Sequence, residues 1–260
     1  MRRVSALVAA LTVLAVGGCG HDSGSASGRT VVATTTQVAD LVRQVGANRV
    51  SVDGMLRPNA DPHEYEPRPS DVADVARADL VFRSGGDVDD WLGGVISGAG
   101  GDAEVVTLID SVHRQGDDPH WWQDPRIAAC VARVPRANRK IVTTHDALGY
   151  FASRYGIDVI GAVIPSLSTQ AQASAGDTAR LVDTIRREGV RAIFAESSVN
   201  AKVEQAIARE TGARVGARLW ADTLGPAGSD GATYLGSIAA NTRAIADGLS
   251  GGTVHCRLPS

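Results

Sequence analysis

Short runs of β-branched and apolar residues alternate along the chain with segments whose apolar residues recur at helical spacing. The runs predict strands, and the segments of helical spacing predict amphipathic helices. The predicted strands are 31–34, 50–55, 80–83, 104–108, 140–144, 157–164, 192–195 and 214–219, and the predicted helices are 37–45, 71–76 with Ser70 as N-cap, 91–97, 148–155, 175–188, 200–211 and 232–249. Alternating strands and helices favour parallel sheets with right-handed crossovers. We therefore predict an α/β fold.

The pattern stops near residue 125 and resumes near residue 139, which divides the chain into two lobes. We expect lobes over 30–125 and 139–260, each with a mostly parallel sheet flanked by helices, and a short linker over 126–138. In such folds the active loops lie at the carboxyl ends of the strands, in a crevice. No glycine-rich phosphate loop follows the first predicted strand, which argues against nucleotide binding.

The N-terminus has the features of a secretory signal. Arg2 and Arg3 precede an apolar run over 4–16, which is shorter than the about 20 residues of a membrane-spanning helix. The segment 14–19 resembles the lipobox of bacterial lipoproteins, in which the cysteine is diacylated. We expect a signal peptide over 1–18, lipid on Cys19 and a flexible polar tether over 19–29. This places the protein outside the cell membrane, anchored to its outer face.

Composition and charge narrow the function classes. The chain has 260 residues, 43% of them apolar and 21% charged, which is typical of a soluble globular protein. Its 26 basic and 29 acidic residues give a net charge of −3, and this lack of basic surplus argues against nucleic acid as a partner. If Cys19 carries lipid, Cys130 and Cys256 remain, and export favours a disulfide between them over two buried free thiols.

One phrase, Asp-Pro-His followed by any residue and an aromatic residue, occurs twice, at 61–65 and at 118–122. Proline stiffens each loop. An aspartate two residues before a histidine can accept the ring N–H that faces away from a metal, which fixes the tautomer. The repeat therefore indicates that His63 and His120 are metal ligands, with Asp61 and Asp118 supporting them.

Two further candidates lie where predicted strands end. His145 follows the strand 140–144, and Asp222 follows the strand 214–219. Three imidazoles and one carboxylate are a tetrahedral zinc set by ligand type. The alternatives are a histidine beside a helix N-cap for His145 and a turn or capping aspartate for Asp222.

These stretches resemble the zinc- or manganese-binding lipoproteins of bacterial ABC transporters, the cluster A-I solute-binding proteins. The matching stretches are 61–67, 118–125, 144–151, 194–198 and 221–225. The resemblance implies that His63, His120, His145 and Asp222 bind the metal between two lobes. It also implies that Glu196 lies near the site and supports a ligand. The partners it implies are an ABC-transporter permease and its ATPase.

The residue at the third ligand position indicates which metal the site prefers. Manganese members of the family tend to carry glutamate there, whereas this chain has His145. Imidazole suits zinc and carboxylate suits manganese, so we expect Zn²⁺ with Mn²⁺ as second choice. The histidine-rich loop that zinc-type relatives often carry before the second motif is missing here, where only His113 is nearby.

The linker is unusually short for the family. Only 24 residues separate His120 from His145, whereas family members carry two helices there, one of which braces both lobes. Both ends of the missing segment lie at the metal site, so we expect the four ligands still to converge. We also expect less rigidly coupled lobes and a partly uncovered back surface.

Two other functions use the same residues. A zinc hydrolase would bind metal through three histidines and leave a position open for water, with Glu64, Glu66 or Glu196 as general base. No His-Glu-x-x-His signature supports that function, and we expect a protein without enzymatic activity. A metal-binding surface adhesin would need an exposed apolar patch, which the 4% aromatic content does little to support.

Overall fold

The computed structural model describes residues 28–124 and 131–256. The signal peptide, the lipidation site Cys19, nearly all of the tether and Cys130 lie outside the described residues. Those expectations therefore stay predictions.

The first half of the chain forms one parallel sheet with helices on both faces. Its elements are β1 (Arg29–Ala33), α1 (Thr36–Gly46), β2 (Val50–Gly54), α2 (Pro69–Arg77), β3 (Leu80–Arg83), α3 (Leu92–Ala99) and β4 (Glu104–Thr107). The strand order is β2-β1-β3-β4, and every pairing is parallel. The carboxyl ends of all four strands therefore lie at one edge of this sheet.

The second half repeats this arrangement. Its elements are β5 (Lys140–Thr143), α4 (Gly149–Tyr155), β6 (Asp158–Ala162), α5 (Ala175–Glu188), β7 (Ala192–Phe194), α6 (Lys202–Thr211), β8 (Arg214–Val215) and α7 (Tyr234–Ser250). The strand order is β6-β5-β7-β8, again all parallel. The predicted fold class, two α/β lobes with parallel sheets flanked by helices, is confirmed.

Local sequence explains where several helices begin and end. Ser174 and Asp177 cap α5 reciprocally, and Gly189 ends it in the left-handed conformation. The expected N-cap of α2 is wrong, because Ser70 lies inside the helix, which begins at Pro69. Proline suits the first helical position because it has no N–H to satisfy and its φ is already helical. The Asp71 carboxylate accepts the Arg68 backbone N–H instead, at 2.7 Å.

The linker is short and joins the second lobe's core. Its described part has 3₁₀ turns at Val131–Arg133 and Arg136–Asn138 in place of a long helix. Val131 and Val134 are fully buried among core residues of β5, α4 and α7. The described part of the linker, 131–138, is thus anchored to the core of the second lobe.

The first lobe is covered unequally on its two faces. One face packs under α2 and α3 around a large cluster that includes Val32, Val81 and Leu92. The other face has α1 over a small cluster, and Val52 and Phe82 remain half-buried there. The expectation of a partly uncovered back surface across both lobes stays a prediction. No helix within 28–124 or 131–256 combines the length and apolar character needed to cross a membrane.

We expect a disulfide between Cys130 and Cys256. Cys256 packs against the second lobe's core, and a bridge closing so long a loop would stabilise the fold by at most about 4–5 kcal/mol in the chain-entropy model. A chain of residues 20–260, exported behind an unrelated signal and unfolded without reductant, should show no reactive thiol. The variant Cys256→Ser should show one and unfold at lower temperature. Two reactive thiols in the unreduced parent chain would contradict the pairing.

Candidate metal centre

The four predicted ligands all lie beyond the carboxyl ends of parallel strands. His63 is in the loop after β2, and His120 follows β4 and opens a 3₁₀ turn. His145 comes two residues after β5 ends, and Asp222 follows β8. The sheets of the two lobes turn these edges toward each other, so that loops far apart in the chain meet in the cleft.

The ligand atoms of these residues converge within 4.8 Å of one another. His145 Nε2 lies 3.3 Å from His120 Nε2 and 3.0 Å from Asp222 Oδ2. Asp222 Oδ2 and Oδ1 lie 3.5 Å from His63 Nε2 and His120 Nε2, respectively. Zinc bonds of about 2.0–2.2 Å at tetrahedral angles put neighbouring ligand atoms about 3.3–3.6 Å apart. The observed separations fit one divalent ion.

All four side chains are buried, with at most 4% of any residue exposed. Nevertheless His63 Nε2 and both carboxylate oxygens of Asp222 have no hydrogen-bond partner in the structure. Buried polar atoms are rarely left without a partner, because their desolvation then goes uncompensated. These lone pairs point to the shared centre, and an ion bound there would satisfy them.

Two of the histidines are oriented by carboxylates behind them. Asp118 Oδ1 lies 2.7 Å from His120 Nδ1, and Glu196 Oε1 lies 2.7 Å from His145 Nδ1. Because these carboxylates accept Nδ1–H, each ring keeps its Nε2 lone pair for the centre. Glu196 also accepts the His145 backbone N–H at 3.1 Å, which fixes the start of the loop.

Asp61 acts differently from the expectation that it would accept a ring N–H. Its Oδ1 accepts the His63 backbone N–H at 3.0 Å, and its Oδ2 accepts the Thr169 hydroxyl at 2.8 Å. Gln170 Nε2 also donates to the His63 carbonyl. Asp61 thus shapes the loop of His63 and links it to the second lobe.

In the absence of metal, the electrostatics of the centre favour a negatively charged Asp222 beside positively charged histidines. Burial lowers the pKa of His145, but Glu196 and Asp222 outweigh it and leave that pKa well above 6.5. Burial likewise lowers the pKa of His63, and the contact with Asp222 reverses this and raises it overall. Burial raises the pKa of Asp222, but His145 and His120 hold it well below 3.8. Asp222 is therefore anionic, while His145 and His63 take up protons readily.

The sequence did not reveal how the Asp222 loop is held. The Ala221 carbonyl accepts hydrogen bonds from three buried side chains. The donors are Gln37 at 3.3 Å, Trp122 at 2.8 Å and Gln123 at 2.8 Å. Trp122 belongs to the second Asp-Pro-His motif and lies two residues after His120, so the motif already indicates that it is near the site. Gln37 carries no local signal, because it meets Ala221 across 184 residues.

The carboxylates proposed for hydrolysis are poorly placed for it. Glu64 and Glu66 are exposed, whereas the ligand atoms are buried. Glu196 Oε1 is occupied by the ring and backbone of His145. Asp222 fills the fourth position around the centre, which a hydrolytic zinc site keeps for water.

Known metal-binding proteins are similar to this chain over most of its length. The family model for the periplasmic component A of the zinc-uptake complex matches residues 31–134 and 126–248. The chain is 29% identical to the zinc-binding protein TroA of Treponema pallidum, over 95% of this chain and 98% of TroA. It is 27% identical to the manganese-binding lipoprotein MntA of Bacillus subtilis, over 90% and 95%. The solved structure of Treponema pallidum TroA superposes with a TM-score of 0.79 at 26% identity, covering 86% of this chain and all of TroA.

The comparison also bears on the short linker. The alignment with TroA spans 307 positions, more than the 260 residues of the whole chain, so TroA contains segments that this chain lacks. The family match has two parts, which overlap at residues 126–134 within the expected linker. Because these matches cover most of both lobes, this chain belongs to the family of periplasmic A components of zinc-uptake complexes.

Proposed function

We propose that this chain captures a divalent metal ion outside the cell membrane and delivers it to an ABC-transporter permease driven by its ATPase. His63, His120, His145 and Asp222 bind the ion, with Asp118 and Glu196 orienting two of the imidazoles and Asp61 shaping the His63 loop. The observation that carries this proposal is the convergence of four buried ligand groups, among which His63 Nε2 and both carboxylate oxygens of Asp222 lack hydrogen-bond partners. The family supports the same role.

Zinc is the metal that the donor set favours. Three imidazole nitrogens and one carboxylate suit Zn²⁺, whereas Mn²⁺ prefers more oxygen ligands. The named relatives include both a zinc-binding and a manganese-binding protein, so the family alone does not decide between the two metals. The ligand at position 145 is what favours zinc in this chain.

The proposed location rests on the N-terminal sequence. Lipid on Cys19 would leave the tether 19–29 between the membrane and the start of β1. MntA of Bacillus subtilis is itself named a lipoprotein, which supports this anchor. The burial of the centre suits capture and transport better than hydrolysis or adhesion, because a captured ion must be shielded from water until delivery.

Native mass spectrometry tests the function directly. Protein of residues 20–260 is exposed to equal concentrations of Zn²⁺, Mn²⁺, Mg²⁺ and Ca²⁺, and the bound ion is identified by mass. We expect one zinc ion per chain. The matched control is His113→Ala, which removes an exposed histidine and should leave the stoichiometry unchanged. Wild-type protein that binds no ion, or that binds several weakly, would refute the proposal.

Metal binding should weaken as pH falls, and the decline should begin above pH 6.5. The raised pKa values of His145 and His63 mean that protons compete with the ion near neutrality, whereas Asp222 stays ionised. Each proton released on binding costs up to about tenfold in affinity per pH unit below the histidine pKa. Without metal, the two imidazoliums stabilise the fold below pH 6.5, and this stabilisation is lost as pH rises through their raised pKa values.

The metal-induced rise in unfolding midpoint should therefore shrink steadily from pH 8 to pH 5.5. Calorimetry with and without Zn²⁺ measures it in one buffer series. A rise that stays constant across this range would show that these histidines do not give up protons to the ion.

A further inference from the structure

The ligand Asp222 belongs to the second lobe in sequence, but its loop is held by the first lobe on both sides. On the C-terminal side, the Leu224 backbone N–H donates to Thr36 Oγ1 at 2.8 Å. On the N-terminal side, Gln37 Nε2 donates to the Ala221 carbonyl at 3.3 Å. Thr36 and Gln37 are the first two residues of α1.

These contacts form one continuous chain of hydrogen bonds. The Thr36 hydroxyl accepts from Leu224 and donates to Gln37 Oε1 at 3.0 Å, and the amide of Gln37 then donates to Ala221. The direction of every bond is fixed, because a backbone N–H can only donate and a carbonyl can only accept. Thr36 and Gln37 are buried, so the bonds are protected from water.

The carboxylate of Asp222 depends on its backbone for orientation. Neither of its oxygens has a hydrogen-bond partner, and its close contacts are the three histidines that would share the ion. The groups that contact the carboxylate directly are therefore ligands themselves. The backbone groups of Ala221 and Leu224, which flank it, are what the α1 pair holds.

We propose that Thr36 and Gln37 are positioning residues that hold Asp222 across the cleft in the geometry that binds the ion. The proposal rests on the proposed function, because it assigns the pair a role in retaining that ion. In a chain with a short linker, this contact also joins the lobes at the site itself. Losing it should loosen the Asp222 loop, although Trp122, Gln123 and the Asn59 backbone N–H still contact it, and should speed release of the metal.

The two residues should not contribute equally. The Ala221 carbonyl keeps two donors, Trp122 and Gln123, when Gln37 is replaced. The Leu224 N–H is buried and has Thr36 Oγ1 as its acceptor, so removing that hydroxyl leaves it without one. We expect zinc release to be about twofold faster in Gln37→Leu, about fivefold faster in Thr36→Val and at least tenfold faster in the double variant.

The experiment uses residues 20–260 loaded with Zn²⁺, and measures release into excess chelator by stopped flow. The Co²⁺-loaded forms report the ligand geometry by their visible spectrum. Thr36→Ser restores the hydroxyl and should return both readouts to wild type. Arg154→Ala is the matched control, because it removes an ion pair between the lobes with Asp124 that does not contact the Asp222 loop. It should leave the release rate unchanged.

A merely structural role would lower the unfolding midpoint without changing release or spectrum. Release from Thr36→Val less than twofold faster than from wild type, with an unaltered Co²⁺ spectrum, would therefore overturn the proposal while the proposed function stands. The single variant serves this purpose if the double variant does not fold. Wild-type protein that fails to load one ion would overturn both, and the two failures are thus distinguishable.

Discussion

Replacing His145 by alanine should weaken zinc binding by about 10²–10³-fold. His145 Nε2 is the ligand atom closest to its neighbours, at 3.0 Å from Asp222 and 3.3 Å from His120. Zinc binding to a structural site with four ligands releases about 10–16 kcal/mol, so an equal share for one ligand is about 2.5–4 kcal/mol. Competition titration with a chromophoric chelator measures the change.

Glu196→Gln gives a graded comparison. It keeps the shape of the side chain that holds His145 but removes the charge, and such outer partners typically cost about 10–100-fold in affinity. His113→Ala should have no effect, because His113 is exposed, whereas the four ligands are buried. Zinc affinity in His145→Ala within tenfold of wild type would show that His145 is not a ligand.

Removing the metal should lower the unfolding midpoint by about 8–16 °C. An ion present at about 1,000 times its dissociation constant stabilises the native state by about 4 kcal/mol. In a domain of this size each kcal/mol shifts the midpoint by about 2–4 °C. The loss is large because the chelated protein retains buried ligand atoms without partners, including His63 Nε2.

The matched control for chelation is His145→Ala, whose midpoint should respond weakly to zinc and to chelator alike. Scanning calorimetry at pH 7.5 compares the two proteins with zinc, with chelator and with zinc restored. Wild-type midpoints that coincide with and without zinc would contradict binding to the folded centre. Recovery on adding zinc back would exclude irreversible damage by the chelator.

The sequence was sufficient for the architecture because the signals that carry it are local. Within the described residues, hydrophobic runs and helical spacing located each strand and each α-helix, though not the short 3₁₀ turns, and α5 was predicted with its observed bounds, Ala175–Glu188. The errors lie at ends. The strand after α6, expected to reach Leu219, ends at Val215, and only an isolated bridge joins Glu196 to Leu219 beyond it.

The candidate ligands could also be predicted, because a repeated motif and strand-end positions mark them. What could not be predicted is the set of contacts that join the lobes. Asp61 contacts Thr169, which lies 108 residues away in the chain. Because no local pattern shows this contact, the sequence alone favours a bond from Asp61 to the ring of His63. Thr36 lies 188 residues from Leu224. Such contacts depend on how two lobes meet, which no local pattern encodes.

The central claim is that one ion binds between the lobes through His63, His120, His145 and Asp222. Diffraction from zinc-loaded crystals, with data on both sides of the zinc absorption edge, tests it most directly. The account predicts one anomalous peak per chain, about 2.0–2.2 Å from the Nε2 atoms of the three histidines and from a carboxylate oxygen of Asp222. A peak elsewhere in the chain, with these four side chains bound to no ion, would contradict it.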